Sequence, residues 1–260
     1  MRVFRERKVD ALLDAGLEVV VVASRSVKAL RERYGTSGNK SDRSDAYVLA
    51  DCLRTDGHRW RSLEPDSPAT VTLRSHVRAR KDLVENRVAV ANQLRAHLRI
   101  VFPGAVGLFA NIDSPISLRF LERFPSATRA GWLSEKRLGS WLRANGYCGR
   151  KTAAELHGRL PDAPAGLLGE EGDARGAVTL AYVAILRALR AQIDELNTRL
   201  DELLDAHPDA EIFRSLPRCA TVRAATLLAE IGDCRARFPD AESLSCLAVV
   251  APSTRASGRH

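Results

Sequence analysis

The chain has 260 residues, with 40 Lys and Arg against 32 Asp and Glu, a formal charge of +8. At 45% hydrophobic it carries enough apolar material for packed cores, which excludes wholesale disorder, and its length suggests about two domains. Aromatics at 5% argue against an aromatic-lined groove for single strands, while the excess positive charge favours polyanions. The most apolar run, Val19 to Ala23, is far shorter than the roughly 20 residues of a membrane span, so no membrane segment is expected. The charged N-terminus leads to Asp10 and Asp14 rather than to a signal-peptide apolar region, and the expected location is the cytoplasm. Cys52, Cys148, Cys219, Cys234 and Cys246 form no C-x-x-C pair and are expected as free thiols.

Residues 3–15 read as a short helix stopped by Gly16. The β-branched run 17–23 reads as a strand apolar on both faces, which belongs inside a helix-covered sheet, yet the chain offers it no second strand of that kind. Helices follow near 27–34 and from about Asp42 to Thr55, the second with Ala46, Leu49, Ala50 and Leu53 at helical spacing. A long helix over 73–98 places Leu73, Val77, Val84, Val88, Ala91, Leu94 and Leu98 on one stripe. Its other face carries Arg74, Arg78, Arg80, Lys81, Arg87, Arg95 and Arg99. The segment 102–175 is richer in Gly and Pro, with short helices near 134–144 and 151–160 and an expected loop over 166–176. In a second long helix, 178–206, Leu186, Leu189, Ile193, Leu196, Leu200 and Leu203 step as a heptad seam, suited to an antiparallel pair with 73–98 and to dimerisation. The turn 215–221 leads to a helix closed by Gly232, and Asp240 caps a last helix before a polar tail.

Chemistry-bearing residues are sparse. Asp42 and Asp45 stand three apart at a helix start, where both carboxylates could share a divalent cation; N-capping and the helix dipole also favour Asp there. Ser257, flanked by Arg255, Arg259 and His260, could attack a phosphodiester whose developing charge those cations stabilise. A solvated terminal loop is the plainer reading, and Ser253 competes for the role. The histidines form no H-E-x-x-H pattern, and no Walker loop or dinucleotide fingerprint occurs.

Five stretches in this order resemble a bacterial insertion-sequence transposase of the DEDD/serine family, the bridge-RNA-guided recombinases. They are Asn39-Lys40-Ser41-Asp42-Arg43-Ser44-Asp45-Ala46-Tyr47-Val48-Leu49-Ala50, Arg78-Ala79-Arg80-Lys81-Asp82-Leu83, Phe102-Pro103-Gly104, Leu227-Leu228-Ala229-Glu230-Ile231-Gly232-Asp233, and Ala251-Pro252 followed by Ser257-Gly258. The resemblance covers essentially the whole chain. It implies a mainly α fold in three parts: a partial ribonuclease-H-like (RuvC-type) α/β domain over 1–68, a helical, coiled-coil-like region over 69–207, and a transposase domain of helix-hairpin-helix character over 208–260. It further implies a DNA transposase in which Asp42 and Asp45 bind Mg2+ and Ser257 attacks the DNA. Arg74, Arg78, Arg80, Lys81, Arg87, Arg95, Arg255 and Arg259 would contact DNA or a structured guide RNA, and the chain would form a homo-oligomer.

Departures from the family pattern accompany the match. The family's first Asp and its Glu precede the point where this chain starts, Arg218 and Ala220 stand where hairpin glycines are usual, and Val249 replaces a small residue. The expectation is therefore a chain shortened at both ends. Its alternatives are a catalytically inactive nucleic-acid-binding and dimerising remnant, or a helical scaffold with incidental charge.

Overall fold

The computed structural model describes residues 9, 11–20, 22, 24–32, 41–60, 62–234, 238 and 240–248. Among these the protein is mainly α-helical and forms no strand. Where the sequence predicts a strand over 17–23, the described part makes one antiparallel bridge, Val20 to Ser62. Leu63 N–H donates to the Val19 carbonyl at 2.6 Å, and the Ser62 hydroxyl donates to Glu18 at 2.7 Å. A β-branched run becomes a strand only when neighbours complete its hydrogen-bond ladder, and among the described residues it is the 62–63 segment that meets it.

The chain divides into two compact units, residues 1–71 with 231–260 and residues 72–230. In the first, α1 (Ser24–Glu32) packs beside α2 (Asp42–Asp56). Ser41 caps α2, its hydroxyl accepting from Ser44 N–H at 3.1 Å. The buried line of α2 is Val48 and Cys52; the stripe predicted to be buried, Ala46, Leu49, Ala50 and Leu53, is exposed. Both lines have helical spacing, so periodicity could not choose between them. In α11 (Ala241–Leu247), Asp240 Oδ1 accepts from Ser243 N–H at 2.7 Å, the cap expected of that Asp.

The second unit is built on α3 (Pro68–Val101) and α8 (Gly169–Asp205). Arg80 Nε donates to Asn197 Oδ1 at 2.5 Å, and His97 Nε2 lies 3.1 Å from the buried Thr179 hydroxyl with its ring against Tyr182. Positions rise on one helix as they fall on the other, so the pair is antiparallel, as expected. Burial holds the His97 imidazole below its ordinary 6.5; a backbone hydrogen bond with Arg175 opposes this and the Arg175 charge reinforces it.

The buried seam is shifted from the predicted one. On α8, Val183, Leu186, Ile193, Leu200 and Leu204 are buried, whereas Leu189, Leu196 and Leu203 are half-exposed. On α3, Leu73, Val77, Ala91, Leu94, Leu98 and Val101 are buried and Val88 is 49% exposed. The 3-4 spacing continues through the middle with Arg80 and Arg87 on α3 and Arg190 and Asn197 on α8, all half-buried. A leucine count therefore misplaced the seam, because its centre is polar. The sequence predicts no membrane segment, yet by length and composition α8 is apolar enough to cross one; Val183 and Leu186 of α8 are packed in the buried core.

Between the two long helices the chain inserts α4 (Pro115–Arg123), α5 (Ala127–Ala130), α6 (Glu135–Ala144) and α7 (Ala153–Gly158), the last opened by a capping box of Thr152 and Glu155. Phe120, Phe124, Leu138 and Leu156 join Leu94, Leu98 and Leu186 in one buried cluster. Of the loop expected over 166–176, residues 166–168 are non-helical and 169–176 form the first two turns of α8, where Gly172 lets the helix approach the Leu167 carbonyl, a spot any Cβ would occupy. After α8 come α9 (Ala210–Arg214) and α10 (Thr221–Ile231).

The seam assignment predicts unequal leucines. Leu186→Ala should cost about 2–5 kcal/mol in urea unfolding and Leu189→Ala about 1 kcal/mol, since only the first leaves a cavity in a closed core.

Candidate functional site

Asp42 and Asp45 sit in the first turn of α2, where their charge complements the helix dipole. Asp42 is exposed. Asp45 is gripped by Arg31 of α1: Arg31 Nη2 donates to Oδ2 at 2.7 Å, and Nε lies 2.5 Å from Oδ1, off the angle of a hydrogen bond. Both oxygens of Asp45 are thus engaged by one guanidinium. Among the described residues, no three His, Cys, Asp or Glu side chains gather to hold a metal ion. The described acids do not fit a magnesium site, because a cation bridging Asp42 and Asp45 would have to displace Arg31. Ser257, Ser253, Arg255 and Arg259 lie outside the described residues.

The expected cationic face of α3 divides by role. Arg74 Nε donates to the Ala229 carbonyl at 2.6 Å in the last turn of α10, where a cation complements the helix dipole. Arg78 lies 3.8 Å from Glu230. Arg80 is spent on Asn197, and Arg87 faces Asp113 at 3.3 Å, with Arg190 donating to the Asp113 carbonyl. These two belong to the seam side and not to the opposite face. Lys81, 3.9 Å from Glu85, is 68% exposed; Arg95 donates to Asn92, one turn away, and Arg99 is exposed. Lys81, Arg95 and Arg99 are the members of the predicted set best placed to meet a phosphate.

Two constructions went unread in the sequence. The first is the bracing of the 215–221 turn, itself expected from the sequence, between α9 and α10. Asp201 of α8 accepts from Arg214 Nη2 at 3.2 Å and from the Thr221 hydroxyl at 2.8 Å, so one carboxylate holds both sides of the turn. At its tip Arg218 has φ of 59°, a left-handed conformation, at a position where the family resemblance expects glycine. The second joins Gly232-Asp233 to Asp66-Ser67. Ser67 N–H donates to Asp233 Oδ1 at 3.0 Å, and Asp233 N–H donates to Asp66 Oδ1 at 3.2 Å. Gly232 has φ of 83°, and the Asp66 carboxylate fills the space a Cβ would need. Partial burial alone would raise the Asp233 carboxyl. Hydrogen bonds from the Ser67 hydroxyl and backbone, the Thr70 hydroxyl and Asp233's own N–H outweigh it and lower it from 3.8 to about 2. The Asp directly after a helix-closing glycine was the available signal.

Comparison with known proteins places these features. A transposase model of the IS110 DEDD type matches residues 3–103, and a model described as the IS116/IS110/IS902 transposase family matches 210–260. The chain is 36% identical over 257 residues to the mini-circle transposase candidate for IS117 of Streptomyces coelicolor, covering 96% of this chain and 62% of that protein. The chain belongs to the IS110/IS116 transposase family. It is also 29% identical to an uncharacterized 43.6 kDa protein of insertion element IS110 from S. coelicolor, over 94% of this chain and 60% of that one. An uncharacterized 44.8 kDa protein of insertion element IS116 from Streptomyces clavuligerus is 30% identical, over 96% and 62%. The chain thus spans about three fifths of the length of these relatives. No solved structure matches it. Within this IS110/IS116 chain, Asp42 and Asp45 fall in the first matched segment, and the turn, the Gly232-Asp233 clasp and Ser257 in the second.

Two measurements check the local analysis. Asp233 has a folded pKa below its unfolded one, so its stabilisation is present above pH 4 and is lost as the pH falls from about 4 to about 2. Asp233→Asn should therefore unfold more easily at pH 7, and its deficit against the wild type should close over that acid range. Arg218→Gly should raise stability by up to about 1 kcal/mol in thermal unfolding, by relieving the left-handed side chain.

Proposed function

We propose that this chain acts on DNA as an insertion-sequence transposase, in the cytoplasm, with a structured guide RNA and a second copy of itself as partners. The observation that carries the reading is the order of the family matches: 3–103 and 210–260 bracket the chain, and a 36% identical relative runs through 257 residues of it. In this reading residues 1–68 are part of a ribonuclease-H-like domain, and the α9–α10 turn is a helix-hairpin-helix element approaching the DNA backbone. Ser257 is the nucleophile. Its Oγ loses a proton and forms a P–O bond to the scissile phosphate as the bridging P–O bond breaks. The leaving strand oxygen takes up a proton, and reversal of these events rejoins the strands. Arg255 and Arg259, beside it in sequence, would stabilise charge on the phosphate oxygens, and Lys81, Arg95 and Arg99 would hold the nucleic-acid backbone. Arg31 occupies Asp45, so in this reading Ser257 acts without a cation at the described acids.

That same ion pair favours a second reading, in which the chain binds nucleic acid and dimerises without cutting. One experiment separates the two. Incubated with duplex DNA carrying the element's ends, the chain should yield a protein–DNA adduct that survives denaturation and is absent from Ser257→Ala. Tight binding that weakens steeply with salt, with no adduct, would establish the second reading in place of the first.

A further inference from the structure

The 102–151 part of the second unit contains a recess of about 540 Å³, within the 300–1,000 Å³ usual for small-molecule sites. Its apolar wall is Phe109, Ile116 and Tyr147, with the Phe109 and Tyr147 ring centroids 5.7 Å apart. Tyr147 is set by the loop 145–149: its N–H donates to the Leu142 carbonyl at 3.0 Å, and its ring lies over Gly149 where a Cβ would stand. Arg119, Arg150 and Lys151 line the mouth, and no carboxylate does. Arg119 also donates to the Asn145 carbonyl at 2.8 Å, which ties α4 to the loop. The nearest acid in sequence, Asp113, faces Arg87. The recess opens beside the start of α4, capped by Ser114, whose dipole adds positive potential.

We propose that this recess takes one unstacked nucleotide of a single-stranded nucleic acid. The base lies against Tyr147 and Ile116, and its phosphate is held by Arg119, Arg150 and Lys151. The inference rests on the nucleic-acid reading above and adds to it a site on neither α3 nor the C-terminal segment. An apolar aromatic wall beside three cations with no competing acid suits a ligand that is flat and apolar at one end and anionic at the other. A base and its phosphate have that form, whereas a neutral apolar ligand would leave the cations without a role. Single-stranded DNA and RNA share this chemistry. A duplex does not, because its bases are stacked away.

Exposed Cys148, on the rim, supplies the readout. The full chain is saturated with a single-stranded DNA or RNA oligonucleotide, with overall binding followed by fluorescence anisotropy, and alkylation of Cys148 by iodoacetamide is timed by mass spectrometry. The single strand should slow alkylation roughly fivefold or more as the site fills; the duplex of the same sequence should not. Comparing the DNA and RNA arms shows which strand fills the site. Tyr147→Ala should abolish the protection, and so should the surface double variant Arg150→Glu/Lys151→Glu, which leaves the Phe109–Tyr147 packing in place. Binding with unprotected Cys148, equal protection by the duplex, or protection surviving in the charge-reversed variant would overturn the recess while leaving the nucleic-acid reading intact. No binding of any oligonucleotide at low salt would overturn both.

Discussion

The antiparallel contact between α3 and α8 is the constraint on which the second unit depends. Two helices of this length can slide past one another unless something other than apolar area sets their register. Here the setting comes from polar pairs at seam positions, Arg80 with Asn197 and His97 with Thr179. A half-buried guanidinium that loses its acceptor is costly, so a slipped register is penalised in a way that an all-leucine seam would not penalise it. Once the register is set, the 102–168 segment must fold in the space beside the pair. Its aromatic residues close the core there, with Trp141 edge-on to Phe120 at 5.6 Å and Arg187 of α8 donating to Glu122 of α4.

That arrangement changes what the charge of +8 means. An arginine counted on a helical wheel is a phosphate contact only if nothing else in the molecule claims it. Arg31, Arg74, Arg80, Arg87, Arg190 and Arg214 all hold internal acceptors, whether carboxylates, amides or backbone carbonyls. Guanidinium suits such work because its fork satisfies two acceptors while its stem packs against apolar neighbours. Arg187 with Glu122, and Arg119 with the Asn145 carbonyl, are engaged as well, so a count of cations overstates the charge that a partner could meet.

The family motifs divide in the same way. Leu227–Asp233 resembles a signature of transposases, yet its described contacts are structural: Ala229 receives Arg74, Glu230 faces Arg78, and Gly232-Asp233 clasps Asp66-Ser67. The Ser41–Asp45 motif supplies a helix cap and an ion pair in addition to any chemistry assigned to it. Recurrence of a motif therefore marks a local geometry first, and its chemistry has to be argued separately.

The longer helices, the cap at Asp240 and the antiparallel pairing were legible in the sequence, because 3.6-residue periodicity, Gly232 and short polar cap residues are local signals. The family, too, was legible from the order of its motifs. The face each helix buries was not: α2 hides Val48 and Cys52 rather than Leu49 and Leu53, and α8 hides Leu204 rather than Leu203. Nor were the engagement of Asp45 by Arg31, the helical fate of 169–176, or the recess between Phe109 and Tyr147. Each depends on which residues distant in sequence arrive alongside. Periodicity states that a helix has an apolar side, but only packing decides which of two adjacent sides meets another element, and which charges are consumed where it does.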